Sequence, residues 1–187
     1  MKKVILVSVL LVNAAISGEY HVNKDKENMV KFISDAPIEN FEGVTDQIDG
    51  YLYWEDGEYT KNSELYLEVD LNSLDTGIGL RNRHMRENYL ETDKYPRTYF
   101  KGKITDSRQV DDSSHVVTAD GSIFIHGVEQ PLKVEGKMIK IDSGFRIQTN
   151  FIVKLTDFKV EVPSIMFYKI DENMDMHLDF YVKEVKE

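Results

Sequence analysis

The chain has 187 residues, a formal net charge of −10, 41% hydrophobic residues and no cysteine. Its length suits one domain with a sizeable core. The missing cysteine excludes disulfides, thiolate nucleophiles, Cys-ligated metals and the lipid anchor of a lipoprotein, while the acidity opposes nucleic acid and anionic membrane surfaces, so a partner attracted by long-range charge would be basic.

The first residues read as an export signal. Lys2 and Lys3 give a positive start, Val4 to Val12 is an apolar run, and Asn13 to Gly18 supplies small residues suited to signal-peptidase cleavage after Ser17 or Gly18. The run is too short to span a bilayer as a stable helix. Residues 1–18 are therefore expected to be a signal peptide and residues 19–187 one exported domain. Stability without disulfides fits a bacterial periplasm better than a eukaryotic extracellular space.

From Tyr20 onward, alternation with a period of two dominates. Strand segments are expected at Tyr20–Asn23, Met29–Ser34, Ile48–Glu55, Glu64–Leu71, Thr98–Thr105, Val116–Ile125, Leu132–Ile141, Phe145–Leu155 and Met174–Val182. In the fourth, Leu65, Leu67, Val69 and Leu71 share one face. In the last, Met174, Met176, Leu178, Phe180 and Val182 do. Single-faced alternation implies antiparallel pairing, and Asp56-Gly57, Asp111 to Ser114, His126-Gly127 and Asp142 to Gly144 supply the turns. Many short antiparallel strands hide their edges by closing into a barrel or packing as a sandwich.

One stretch breaks the alternation. Leu80, Arg81, His84, Met85, Asn88, Tyr89 and Leu90 fall at helical spacing, so a helix over about 80–91 is expected, ended by Tyr95-Pro96. Arg81, Arg83, His84 and Arg86 make this helix the one basic patch of an acidic chain. Pairing with nearby acids is the plain reading for Arg83 and Arg86. Arg81 and His84, three apart, share a face and could receive a polar headgroup if that face looks into a barrel mouth.

Motifs for chemistry are sparse. The five histidines (His21, His84, His115, His126, His177) show no metal-binding spacing. Acid pairs such as Asp171-Glu172 lie in turns and lack an enclosed geometry for acid-base work. No nucleophile elbow, phosphate-cradling loop or dinucleotide fingerprint is present. Catalysis, a metal and a cofactor are not expected. Periodicity alone leaves open whether the inward-facing apolar residues fill a core or wall a pore.

Several motifs in order resemble the YceI-like polyisoprenoid-binding family. Tyr20-His21-Val22-Asn23 stands where the family has an aromatic and an acid, Asn23 replacing the usual Asp. Phe41-x-Gly43-Val44 leads to Ile48-x-Gly50. Leu74-Asp75-Thr76-Gly77 precedes Arg81-Asn82-Arg83-His84-Met85 and Tyr95-Pro96-x-x-x-Phe100, similar to a central Arg-Asp-x-His signature with Asn82 in place of Asp. Ile123-Phe124-Ile125-His126-Gly127-Val128 then runs to Pro131-Leu132. The match extends from Tyr20 to about Val182. The Asn at 82 removes a charge beside the arginine and puts in doubt an ion pair that would organise the helix.

The resemblance implies a mainly β fold: an antiparallel, lipocalin-like eight-stranded barrel with one short helix inserted near residues 80–91. It implies an isoprenoid lipid, a polyprenyl quinone or polyprenyl phosphate, as the bound partner. Arg81 and His84 would sit near the entrance. The wall would be formed by Leu67, Val69, Leu71, Phe100, Phe124, Phe145, Phe151, Met176, Leu178 and Phe180. Family members can pair, so a homodimer is allowed. Two other readings stay open: an enzyme acting on a bound isoprenoid-like ligand through Arg81, His84 and His126, and a filled barrel whose acidic surface binds a basic protein.

Overall fold

A computed structural model describes residues 18–34, 40–162, 164–165 and 168–185. The expected signal peptide lies outside these residues except for Gly18, the first residue of strand β1. In chain order the strands are β1 (Gly18–Val22), β2 (Met29–Ser34), β3 (Phe41–Thr45), β4 (Ile48–Trp54), β5 (Glu64–Asp70), β6 (Arg97–Gln109), β7 (Ser114–Ile125), β8 (Val128–Ile141), β9 (Gly144–Lys154), β10 (Ser164–Ile165), β11 (Tyr168–Lys169) and β12 (Asn173–Glu184). A helix α1 (Gly79–His84), continued by a π turn over Met85–Tyr89, joins β5 to β6.

The sheet closes because β12 is long enough to serve two partners on one edge. Its Met174–Asp179 half pairs with β2 and its Val182–Glu184 end pairs with β1, while β9 covers the other edge. Since β1 pairs with β4 and β2 with β3, these four short strands fill two staves. With β5 to β9 and β12 they make eight antiparallel staves, closed through the β1–β12 pairing, while the outer edge of β3 carries a single bridge from Val44 to Asp75. β10 and β11 form a separate two-stranded ribbon.

Asparagines repair the gap between β1 and β2. The Asn28 amide donates to the Asn23 carbonyl at 3.1 Å, and its oxygen accepts from the Tyr181 N–H at 2.9 Å. The Asn23 N–H reaches the Tyr181 carbonyl at 2.7 Å. Both asparagines are buried; the Asn28 side chain replaces ladder bonds that the bent backbone cannot make, and the Asn23 side-chain oxygen accepts from the Asp25 N–H at 3.2 Å.

Alternation places the core. Buried Val22, Leu52, Leu65, Val69, Ile104, Val117, Met138, Phe180 and Val182 face inward. One end of the barrel is plugged by aromatic rings: Trp54, 2% exposed, stacks on Tyr20 at 4.7 Å and meets Tyr59 and Phe145 edge-on at 5.1 and 5.7 Å. At the opposite end β7 turns into β8 through His126 and Gly127, both left-handed with φ of 50° and 78°, a two-residue turn whose twist suits a hairpin.

The helical segment lies where expected, near residues 80–91, but is ended by Glu91 rather than by Tyr95-Pro96. Glu91 is left-handed, with φ 45°, and the Thr92 N–H bonds the Arg86 carbonyl at 2.9 Å. The chain has thus left the helix before Tyr95-Pro96 is reached. Strand β3 also lies outside the strands expected from periodicity.

Candidate functional site

Inside the barrel is a chamber of about 510 Å³, within the range of roughly 300–1,000 Å³ that small-molecule sites occupy. The inward rows of the staves form its wall: Leu65, Leu67 and Val69 of β5, Phe100 and Ile104 of β6, Val117, Ala119, Ile123 and Ile125 of β7, Leu132, Val134, Gly136 and Met138 of β8. Ile147, Thr149, Phe151 and Val153 of β9 and Met174, Met176, Leu178 and Phe180 of β12 complete it. Gly102 shapes this wall by omission. A Cβ there would come within 2.8 Å of the Phe100 ring, which lies over the bare backbone.

The plugged end supplies the floor, and the helix supplies the mouth. Ile78, Leu80, Arg81, His84, Met85, Tyr89 and Leu90 all border the chamber. Ile78 and Leu80 are 48% and 54% exposed, so the apolar lining runs out to solvent here.

Arg81 is held rather than free. Its Nε donates to Thr76 Oγ1 at 2.9 Å, its Nη2 donates to the Thr76 carbonyl at 2.7 Å, and its guanidinium lies 4.6 Å over the Phe41 ring. Asn82 is the buried anchor of the helix. Its oxygen accepts from the Thr76 N–H at 2.8 Å and the Thr76 hydroxyl at 2.7 Å, and its amide donates to Asp75 at 2.7 Å. Asp75 in turn bridges β3 through two backbone bonds with Val44. Hydrogen bonds from Asn82 and the Gly77 N–H hold the Asp75 carboxyl below the usual carboxylate range. The ion pair doubted for want of an acid at 82 is therefore replaced by neutral hydrogen bonds on Thr76 and a charge-assisted one on Asp75.

A second clasp crosses the rim. His126 Nδ1 lies 3.1 Å from the Phe158 carbonyl and Nε2 lies 2.9 Å from Glu91 Oε2, with Tyr95 packed edge-on at 5.2 Å. Both ring nitrogens thus have a polar partner. Lys94, and after it His126, hold the Glu91 carboxyl below the usual range. The β7–β8 turn, the end of the helical segment and the turn after β9 are thereby joined at one imidazole.

Of the residues expected at the site, the structure places Arg81, His84, Leu67, Val69, Leu71, Phe100, Phe151, Met176, Leu178 and Phe180 on the chamber. Phe124 is elsewhere. It stacks on Tyr99 at 4.8 Å with the rings 6° from parallel, on the outer face, because its neighbours Ile123 and Ile125 take the inner one. Phe145 faces inward but belongs to the plug. Arg86 bonds the Asn82 and Asn72 carbonyls rather than an acid, and Arg83 is exposed with no ion pair among the described residues. His126 lies at the rim and not on the chamber, and among the described residues no three His, Asp or Glu side chains cluster to hold a metal. Asn82 stands inside the Arg81-Asn82-Arg83-His84 motif, whereas Glu91 carries no local sequence signal beyond its polarity.

An antiparallel barrel plugged at one end, with an apolar chamber opening beneath a short helix, defines a lipocalin-like barrel. More narrowly, the chain belongs to the YceI-like domain family, whose model matches residues 20–182. It is 24% identical over 127 residues to the UPF0312 protein VPA0850 of Vibrio parahaemolyticus, the match covering 63% of this chain and 62% of that protein's length. Solved structures share the fold. A polyisoprenoid binding domain from Saccharophagus degradans, implicated in plant cell wall breakdown, superposes with a TM-score of 0.70 at 16% identity, covering 89% of this chain and 98% of that one. BcnA of Burkholderia cenocepacia gives 0.69 at 14% identity, covering 85% and 98%. A YceI protein of Campylobacter jejuni gives 0.58 at 17%, covering 78% and 85%.

Proposed function

We propose that this chain binds an isoprenoid lipid, of the polyprenyl quinone or polyprenyl phosphate type, within the barrel, and carries or stores it without altering it. The observation that supports this most is the chamber, walled by apolar side chains from every stave and plugged at its far end. Each CH₂ buried there contributes about 0.8 kcal/mol, so a long tail binds tightly without polar contacts. The Saccharophagus neighbour, a polyisoprenoid binding domain by its own description, supports the ligand class.

The clasp geometry favours binding over chemistry. Arg81 is committed to Thr76 and His126 to Glu91 and the Phe158 carbonyl, so Arg81, His84 and His126 do not gather around one reacting atom. Export to a periplasm through a signal peptide at residues 1–18 completes the reading.

Native mass spectrometry of protein purified without detergent tests the proposal. A co-purified polyprenyl lipid is the expected result. A clean apo mass with no uptake of added polyprenyl quinone overturns it.

A further inference from the structure

We propose that the mouth helix is a membrane-docking surface, seating the barrel on a bilayer that carries anionic headgroups. This rests on the isoprenoid reading only in its purpose, since such a lipid resides in a bilayer and must reach the chamber from one.

The geometry is specific. Leu80, Arg83 and His84 stand three and four residues apart on the helical segment and so share a face, and all three are exposed. Ile78 lies just ahead of them. Among the described residues only five large hydrophobics are exposed, and Ile78 and Leu80 are two of them. Both also border the chamber, so the exposed apolar surface is continuous with the inner wall. A filled cavity with a polar rim needs no such residues. A mouth pressed into the acyl boundary of a leaflet does, because its apolar rim then leaves water and a tail crosses from bilayer to chamber without meeting it.

Charge complementarity selects the kind of bilayer. The chain is strongly acidic, yet residues 78–86 contain Arg81, Arg83 and Arg86 and no acid. Arg81 and Arg86 spend donors on Thr76, Asn72 and Asn82 but remain cationic. Arg83 has no ion pair among the described residues. The acids beside this face are Glu87, one turn on, and Asp75, whose carboxylate accepts from Asn82 and Gly77. At physiological ionic strength fields decay over about 8 Å, so a headgroup at the mouth meets the local arginines while the acidic staves beyond are screened.

Vesicle flotation of the processed protein, as secreted by an expressing bacterium, tests the proposal with phosphatidylglycerol-containing vesicles against pure phosphatidylcholine. Partitioning is expected to favour the anionic vesicles, to fall about fivefold in Arg83→Gln and about tenfold in Leu80→Ser. Circular dichroism and native mass spectrometry on the same samples report fold and lipid content. Absent partitioning, equal partitioning into phosphatidylcholine, or folded variants that partition like the parent overturn the docking surface. A protein that holds polyprenyl lipid yet fails to partition sinks docking alone, whereas one that docks but never holds lipid sinks the isoprenoid reading.

Discussion

His126 and Glu91, 35 residues apart in sequence, meet at 2.9 Å across the barrel rim, and the same imidazole reaches the Phe158 carbonyl. Removing the ring in His126→Ala frees three segments at the mouth at once. Amide exchange over residues 79–95 is expected to accelerate and bound lipid to leave faster, with the thermal midpoint of the barrel little changed. Equal release rates in the variant and the parent would show that the clasp does not govern the mouth. The depressed Glu91 carboxyl gives the pH sign. Its contribution is complete above the unfolded carboxylate value near 4.3 and is lost as pH falls through the lower folded value, so release quickens in acid and Glu91→Gln flattens that limb.

Asn82 offers a test by charge. In Asn82→Asp one carboxylate oxygen still accepts from Thr76, while the other faces the Asp75 carboxylate in place of a donated N–H. The helix is expected to loosen, and Asp75→Asn in the same chain is expected to restore it. Asn82→Ala, leaving the Thr76 N–H and hydroxyl unsatisfied in a buried position, costs about 1–3 kcal/mol. Denaturant midpoints of the single and double variants read the coupling, and additive effects would sink it.

Gly136 faces the chamber with ordinary space around it: a Cβ there meets its nearest heavy atom, the Gln148 carbonyl oxygen, at 3.4 Å. Gly136→Leu therefore fills the chamber while sparing the ladder. Lipid uptake by titration or native mass spectrometry should drop sharply with the circular dichroism spectrum unchanged. Undiminished uptake would place the ligand elsewhere.

The plug is a stability element. Truncating Trp54 or Phe145 to Ala removes a buried ring from the four-ring cluster and costs about 3–5 kcal/mol, read as a lowered denaturant midpoint. An effect under 1 kcal/mol would mean that the floor collapses to refill the gap.

Acid should weaken the barrel wall through Asp179 and Asp111. The Arg146 guanidinium grips Asp179 at 2.7 and 2.6 Å with Gln148 adding a third donor at 2.9 Å, and Arg146 above all holds that carboxyl below its usual range. Ser114 and Ser113 hold Asp111 down to about 2. Both contributions are present above the unfolded aspartate value near 3.9 and disappear as pH falls through the folded values. Denaturant midpoints should fall between about pH 4 and pH 2, less steeply in Asp179→Asn.

Much of the fold is legible in alternation. Leu65, Leu67 and Val69 announce an inward row, as do Met174 to Val182, and the His126-Gly127 turn appears where the residues allow it. β3 escaped because Phe41–Thr45 contains Gly43 and only five residues. The helical stretch near 80–91 is legible, but what ends it is not, because the backbone of Glu91, a residue with no special preference for it, turns left-handed five residues before Pro96. In Ile123-Phe124-Ile125 both faces are apolar, so parity alone does not reveal that Phe124 looks outward onto Tyr99. Phe145 has the right parity, but depth along the barrel axis, which no period encodes, makes it floor rather than wall. His126 meets Glu91 and Phe158 through tertiary folding, and no local spacing marks that clasp, whereas Asp75 and Asn82 lie seven residues apart in one run of motifs.

The ring of Trp54, Tyr20, Tyr59 and Phe145 makes the barrel a gauge as well as a container. Because that end is stopped, a tail enters foot first, and the distance from the stop to Arg81 sets how much chain is hidden before the head meets the rim. A longer tail leaves its head standing proud of the mouth, and a shorter one draws it under the helix. On the proposed isoprenoid reading, discrimination by chain length is therefore expected to reside at the end of the barrel farthest from where the ligand is offered.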